Sequence, residues 1–265
     1  MEFKAISDHK SLKEVVLLQK MIWGEESITS HPHFVAAITH GGVVIGAYDQ
    51  SSLTGFCYGF PGFKNGRSYL CSHMMAIHPD YRDAGIGNHL KWKQREWAIA
   101  NGYDKIVWTF DPLESRNAYL NLVKLGGYSK TYIESFYGEM NDDLNRGLPS
   151  DRLLIEWDMG SDRVLKAIEG KVTDEPYGNT YARLVDWEMN GTYPKPIIRE
   201  SNLESDGYLL AVPAYIHNIK QEEINLAKEW RYVLRQQFQL VFSKGFTVTG
   251  LIRTKEPVHY YVVSK

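Results

Sequence analysis

The sequence predicts an α/β (α+β) fold, with a central mixed, mostly antiparallel sheet flanked by helices and a further α+β segment packed on it. Three observations carry this. Short β-rich runs at 43–48, 53–60 and 69–77 follow one another across turn residues, a hairpin pattern. Helical and extended patterns then alternate from about residue 85 to 157. The composition is that of an ordinary globular chain, 265 residues with 43% apolar and 23% charged, which excludes disordered, collagen-like and solenoid classes. That length admits one elaborated domain or two.

The elements follow in order. A short strand at 3–7 precedes a helix that Ser11 caps, with Glu14 three residues on and Leu12, Val15, Val16, Gln19 and Ile22 along it. A loop around 24–32 leads to the first hairpin, whose turn is Asp49-Gln50-Ser51-Ser52. Pro61, Gly62, Asn65 and Gly66 make the next turn. Gly85-Ile86-Gly87 opens a helix to about residue 100, with Ile86, Leu90 and Trp97 on one narrow face. Trp92 and Ile99 lie on the opposite face, which predicts a cover from elsewhere in the chain or from a partner such as a second copy. Lys91, Lys93 and Arg95 read as a solvated face, with a 3′-phosphate as their alternative use. A strand at 105–110, a helix at 115–125 stopped by Gly126-Gly127, and strands at 129–137 and 152–157 complete this half. A domain boundary is expected near residue 158, dividing 1–158 from an extension at 159–265. The extension carries a helix at 161–169, a loop-rich stretch to about 206 and a strand at 208–212. A long helix at 221–242 and strands at 246–253 and 259–263 follow. Leu226, Trp230, Val233, Leu234 and Val241 stripe that long helix.

Composition also narrows function. Thirty Lys plus Arg against 32 Asp plus Glu give a net charge of -2, which argues against non-specific nucleic-acid binding. Two cysteines, Cys57 and Cys71, are too few for a disulfide framework or a four-cysteine zinc site. No apolar run approaches the roughly 20 residues of a membrane span, and no signal peptide is visible, so a cytoplasmic chain without membrane or metal is expected. His31-Pro32-His33 reads as a polar loop. Gly55-Phe56-Cys57-Tyr58-Gly59 has the spacing of a hydrolase elbow but lies between strands with no helix after it, so it reads as a strand cysteine.

The informative segment runs from Met74 through Ile77-His78-Pro79-Asp80-Tyr81-Arg82 to Gly87: a strand, a turn and a glycine-opened helix. Unpaired N–H groups at a helix start bind anions, glycine lets a diphosphate approach the backbone, and Arg82 offers charge-assisted bonds. A Walker loop needs Gly-Lys-Ser/Thr, whereas Gly87 precedes Asn88 and His89; a dinucleotide fingerprint needs a glycine where Leu90 stands.

What remains, Arg82-x-x-Gly85-x-Gly87 after "Ile-His-Pro-Asp-Tyr", resembles the acyl-CoA pyrophosphate loop of the GNAT superfamily of N-acetyltransferases, over residues 1 to about 158. The resemblance implies acetyl-CoA as co-substrate, its pantetheine lying where the strand 69–77 splays from 105–110. It implies backbone contacts at Met75, Ala76 and Ile77, with an N–H stabilising the oxyanion. The pyrophosphate would then rest on Arg82, Asp83, Ala84, Gly85, Ile86, Gly87 and Asn88. The segment Ser115 to Gly127 is similar to the family's second motif, so Asn117 would bond the cofactor or cap the helix. Leu122 stands where the family's thiolate-protonating tyrosine is expected, leaving Tyr119 or Tyr128 as stand-ins.

An amine acceptor must lose a proton. His73, read on one strand face with Cys71, Met75 and Ile77, suits that role, since a free imidazole of pKa ~6.5 is mostly neutral at pH 7. Glu134 and Glu139 are the next bases. The segments 111–117 and 148–152 are similar to a bacterial branch found beside N-succinylamino-acid racemases. That branch implies an amino-acid acceptor and succinyl-CoA as alternative donor, with Arg116 or Arg152 near the acyl end. Two other classes stay open: a CoA-binding regulatory protein without turnover, and a thiol hydrolase using Cys57.

Overall fold

The computed structural model describes residues 1–25, 28–138, 147–172 and 180–265. Packing divides the chain into two compact units, Met1–Trp108 with Asp158–Gly160, and Thr109–Trp157 with Ser161–Lys265. Residue 158 is thus one of the points at which the chain passes from one unit to the other. No helix among the described residues is long and apolar enough to cross a membrane.

The first unit holds β1 (Glu2–Ala5), α1 (His9–Trp23), α2 (His31–Thr39), β2 (Val43–Asp49), β3 (Ser52–Lys64), β4 (Arg67–Ile77), α3 (Ile86–Ala100) and the start of β5 (Lys105–Phe110). Its strands lie in sequence order; β1 to β4 pair antiparallel and β4 with β5 parallel. Asp8, not Ser11, caps α1: its carboxylate accepts from the Ser11 N–H at 2.9 Å, so the helix begins earlier than expected. The expected loop at 31–33 is helical, because Pro32 sits in the first turn, where it has no intrahelical N–H bond to lose. β3 also runs on through Pro61 and Gly62. It has lost β2 as a neighbour past Gly59, and a strand edge is where a sheet tolerates proline. The turn is only Asn65-Gly66, both at positive φ (52° and 77°), which suits the twist of a two-residue hairpin.

One face of this sheet packs on α1 and α2 through Leu12, Val15, Leu18, Phe34, Phe56, Tyr58 and Ala76, all buried. The other face meets α3. There the buried stripe is Ile86, Leu90, Gln94 and Ala98, spaced four apart, together with Lys91. Lys91 is therefore not on the solvated face that its charge suggested. Trp97 instead stacks on Tyr103, and Ile99 is 46% exposed.

The second unit contains α4 (Ser115–Tyr119), which continues as one π-helical stretch (Leu120–Lys124), β6 (Tyr128–Ile133), β7 (Arg152–Asp158), α5 (Asp162–Ile168), β8 (Ala182–Asn190), β9 (Tyr193–Ile198), β10 (Gly207–Pro213), α6 (Ile216–Glu222), α7 (Ile224–Ser243), β11 (Thr247–Ile252) and β12 (Val258–Ser264). Its strand order is β7-β6-β11-β12-β10-β8-β9, with β8–β10 parallel and β7–β6, β6–β11, β11–β12, β12–β10 and β8–β9 antiparallel. The β8–β9 pair occupies part of the stretch read as loop. Pro194 and Pro196 disguise β9, yet it is the terminal strand of that order, where prolines remove fewer ladder bonds. The long helix is two, broken at Glu223, and α7 buries Leu226, Trp230, Leu234, Phe238 and Val241. Trp230 donates to the Pro194 carbonyl at 2.8 Å, satisfying the one polar atom of a fully buried side chain.

Candidate active site

β4 is the element that organises the first unit's chemistry. It pairs with β5 only at Leu70–Ile106 and Cys71–Val107. From Ser72 to Ile77 the edge of β4 away from β3 has no strand partner in that register, so its backbone groups are available to an extended ligand. On its other edge the register with β3 slips: Gly59 pairs with Ser72 and Tyr58 with Met74, leaving His73 as a bulged residue. The bulge overturns the expected shared face of Cys71, His73, Met75 and Ile77. One inserted residue reverses the alternation beyond it. Met75 therefore lies toward α3, beside Gly87, while His73 lies over Tyr58 and Phe60 at ring separations of 6.3 and 5.7 Å.

β4 ends at Ile77; the His78 N–H donates to the Thr54 carbonyl at 2.8 Å, and a 3₁₀ turn (Pro79–Tyr81) leads to α3. Asp83 and Gly85 take φ of 65° and 76°, turning the chain into the helix. The Asn88 N–H bonds the Gly85 carbonyl at 3.1 Å, but the N–H groups of Ile86 and Gly87 make no backbone hydrogen bond. A Cβ on Gly87 would lie 3.4 Å from the Met75 methyl, so the first turn of α3 presses close to β4. Arg82 is exposed beside it. The free amides, the missing Cβ and the guanidinium fit the diphosphate of an acyl-CoA.

On the α2 side of the bulge lies an open cavity of about 740 Å³, lined among others by Thr29, Ser30, His33, His40, Phe60 and His73. His33 stands 3.1 Å from the Tyr58 hydroxyl through Nε2. Burial, with the neighbouring His33 imidazole adding, holds His73 below the ordinary histidine range, so it is neutral at pH 7 and able to take a proton. Burial also pushes Tyr58 up to about 12, so its phenol stays protonated beside His33. Sequence reading missed His33 because it depends on α2 forming; Pro32 after Ser30, a helix-start signal, points to it.

The remaining named residues belong to the second unit. Tyr119 lies under the Arg253 guanidinium, 4.0 Å from its ring centre. Glu134 is exposed and held by Arg235 at 3.0 Å and Gln239 at 2.5 Å. Asn117 and Arg116 are exposed, Arg152 is buried, and Leu122 is fully buried in the π-helical turn. Glu139 lies outside the described residues. Cys57 is a buried strand residue, its Sγ 3.5 Å from the Leu90 carbonyl, and burial pushes it up to about 12, far from a nucleophile's range.

The α+β fold has a counterpart among solved structures. The chain superposes on yncA from Salmonella typhimurium, solved with its cofactor acetyl-CoA, with a TM-score of 0.51, 14% identity, and 60% of this chain and 94% of that one covered. Aminoglycoside 6'-acetyltransferase type Ii gives 0.47 at 18% identity, covering 61% and 99%, and smu.2055 from Streptococcus mutans UA159 gives 0.48 at 16%, covering 60% and 99%. Residues 12–126 match the family model described as "Acetyltransferase (GNAT) family". No curated protein matches the chain. Over residues 12–126, less than half of its length, the chain is thus similar to that family.

Proposed function

We propose that the protein moves an acetyl group from acetyl-CoA to the primary amine of a small metabolite, by direct attack with both substrates bound. An amino acid is the first acceptor class to test and succinyl-CoA the second donor, on the softer sequence likeness to the racemase-associated branch. The observation that carries the reading is β4 itself. Its edge is unpaired from Ser72 to Ile77, it runs toward the free amides of Ile86 and Gly87, and it bears His73 on the cavity side. Residues 1–158 then form the acyl-CoA-binding domain and 159–265 its extension.

In this reading Met75, Ala76 and Ile77 hold the pantetheine arm through their main chain. The residues from Arg82 to Asn88 hold the diphosphate. His73 takes the proton that the acceptor amine loses as its nitrogen attacks. Glu134 is the second candidate, already engaged by Arg235 and Gln239; Tyr119 lies under a guanidinium.

The test is thiol release from acetyl-CoA and from succinyl-CoA across a panel of amino acids and small amines. Turnover with wild-type protein and a fall of about 100-fold or more in His73→Ala near neutral pH, with recovery at higher pH where the amine is already neutral, are expected. The buried Leu122 in place of a tyrosine favours a second reading, a CoA-binding protein without turnover. Tight CoA binding with no thiol release from any donor and amine selects it.

A further inference from the structure

Among the ionisable groups of the first unit that the mechanism above leaves unused, Lys91 is the buried amine. Lys91, on the second turn of α3, is 3% exposed and points into the sheet. Its Nζ donates to Ser72 Oγ and to Gln94 Oε1, both at 2.9 Å, and sits 3.7 Å from the centre of the Trp108 ring. Ser72 is the first β4 residue past the last β4–β5 pair, the point at which the strand edge opens. Its oxygen accepts from Lys91, so its own hydrogen remains to donate toward that opening.

We propose that Lys91, through the Ser72 hydroxyl, returns the proton to the departing coenzyme A sulfur, the role left vacant where Leu122 replaces a phenol. The inference rests on the acyl-CoA reading above. As the amine nitrogen bonds the acyl carbon, the carbon–sulfur bond breaks and its electron pair stays on sulfur. Ser72 gives its hydrogen to that sulfur and takes one from the Lys91 ammonium, while the amine's proton goes to His73. Lys91 ends neutral and His73 charged, and exchange with solvent resets both.

The chemistry of the site suits this. Burial lowers Lys91 to about 7, below the roughly 8.5 of a free thiol, so transfer to a thiolate is downhill. The titratable groups facing it are Cys57 from β3 and Cys71 from β4. Burial raises both thiols, so they stay neutral and do not compete for its charge. The Trp108 ring from β5 retains part of the charged form.

The test is the pH dependence of thiol release at saturating acetyl-CoA with the fastest amine of the panel above, with calorimetry of coenzyme A binding beside it. Because the step uses the Lys91 ammonium, the limiting rate of the wild type is expected to fall off above about pH 7. Lys91→Met is expected to lose tenfold or more of the limiting rate at pH 7 together with that falling limb, while coenzyme A affinity stays within about twofold. Ser72→Ala, which keeps the lysine, is expected to lose a similar factor and serves if Lys91→Met does not fold. Equal limiting rates and pH profiles in wild type and both variants, or in wild type and Ser72→Ala if only that variant folds, overturn the proposal while leaving acyl-CoA binding intact, as does coenzyme A binding without thiol release. Absence of coenzyme A binding to the wild type overturns the underlying reading instead.

Discussion

Replacing Lys91 with methionine should stabilise the protein at neutral pH and flatten its pH dependence. The lysine's ordinary value is 10.5 and burial lowers it to about 7, a difference worth on the order of 4–5 kcal/mol at about 1.4 kcal/mol per unit. Methionine removes that burden but gives up two hydrogen bonds, about 1 kcal/mol each, and a cation–π contact of about 1 kcal/mol. A net gain of about 1–3 kcal/mol at pH 7 follows. The sign of the pH effect is fixed by proton count. Between about pH 7 and 10.5 the unfolded chain holds a proton on Lys91 that the folded chain lacks, so wild-type stability rises with pH across that window. Below about 7 the penalty is complete and constant. Urea unfolding of wild type and Lys91→Met at pH 7 and pH 10 measures both quantities. The expected outcome is a variant more stable at pH 7, with the difference shrinking or reversing at pH 10. A less stable variant with an unchanged pH slope would mean that the ammonium is well solvated or well paired, and would refute the reasoning.

Two further outcomes follow from the geometry. Gly87→Ala should keep or slightly raise stability, since its φ is ordinary and the new Cβ meets the flexible end of Met75, its methyl at 3.4 Å and sulfur at 3.6 Å, yet weaken acetyl-CoA binding about tenfold or more. Gly85→Ala should instead cost about 1–2 kcal/mol of stability, because φ is 76° there; thermal unfolding beside calorimetry separates the two cases. In the second unit, Asp111→Asn should cost about 3–5 kcal/mol, read by thermal unfolding, because it leaves Arg231, 1% exposed, without the carboxylate at 2.6 Å. Burial alone would raise Asp111, but Arg231 and then Lys220 outweigh it and hold the carboxyl below its ordinary 3.8. The stability of this pair is therefore present above about pH 4 and lost as pH falls through the lowered folded value.

The parts of the fold visible in the sequence are those governed by local rules. The Arg82-x-x-Gly85-x-Gly87 spacing after a strand marks the turn into a helix, whose first amides, Ile86 and Gly87, make no backbone hydrogen bond. Of the α7 stripe, Leu226, Trp230, Leu234 and Val241 are buried as periodicity demands, while Val233 at its margin is half-buried. What escaped depends on tertiary context. The bulge at His73 has no glycine or proline to announce it, yet it decides which side of the sheet the histidine serves. Lys91 looks like a surface lysine in any helical wheel; only Ser72, Gln94 and Trp108, distant in sequence, make a buried site for it. The prolines of β9 and of the first turn of α2 were read as breakers, although each occupies a place where its missing N–H costs little.

The proposed function requires main-chain amides at the start of α3 to grip a diphosphate, and a calorimetric titration of the full chain with acetyl-CoA, run beside acetyl-pantetheine, tests this most directly. Saturable heat with acetyl-CoA and an affinity at least tenfold lower for the form without the diphosphate are expected. Equal affinities, or no heat with acetyl-CoA on folded protein, would contradict it.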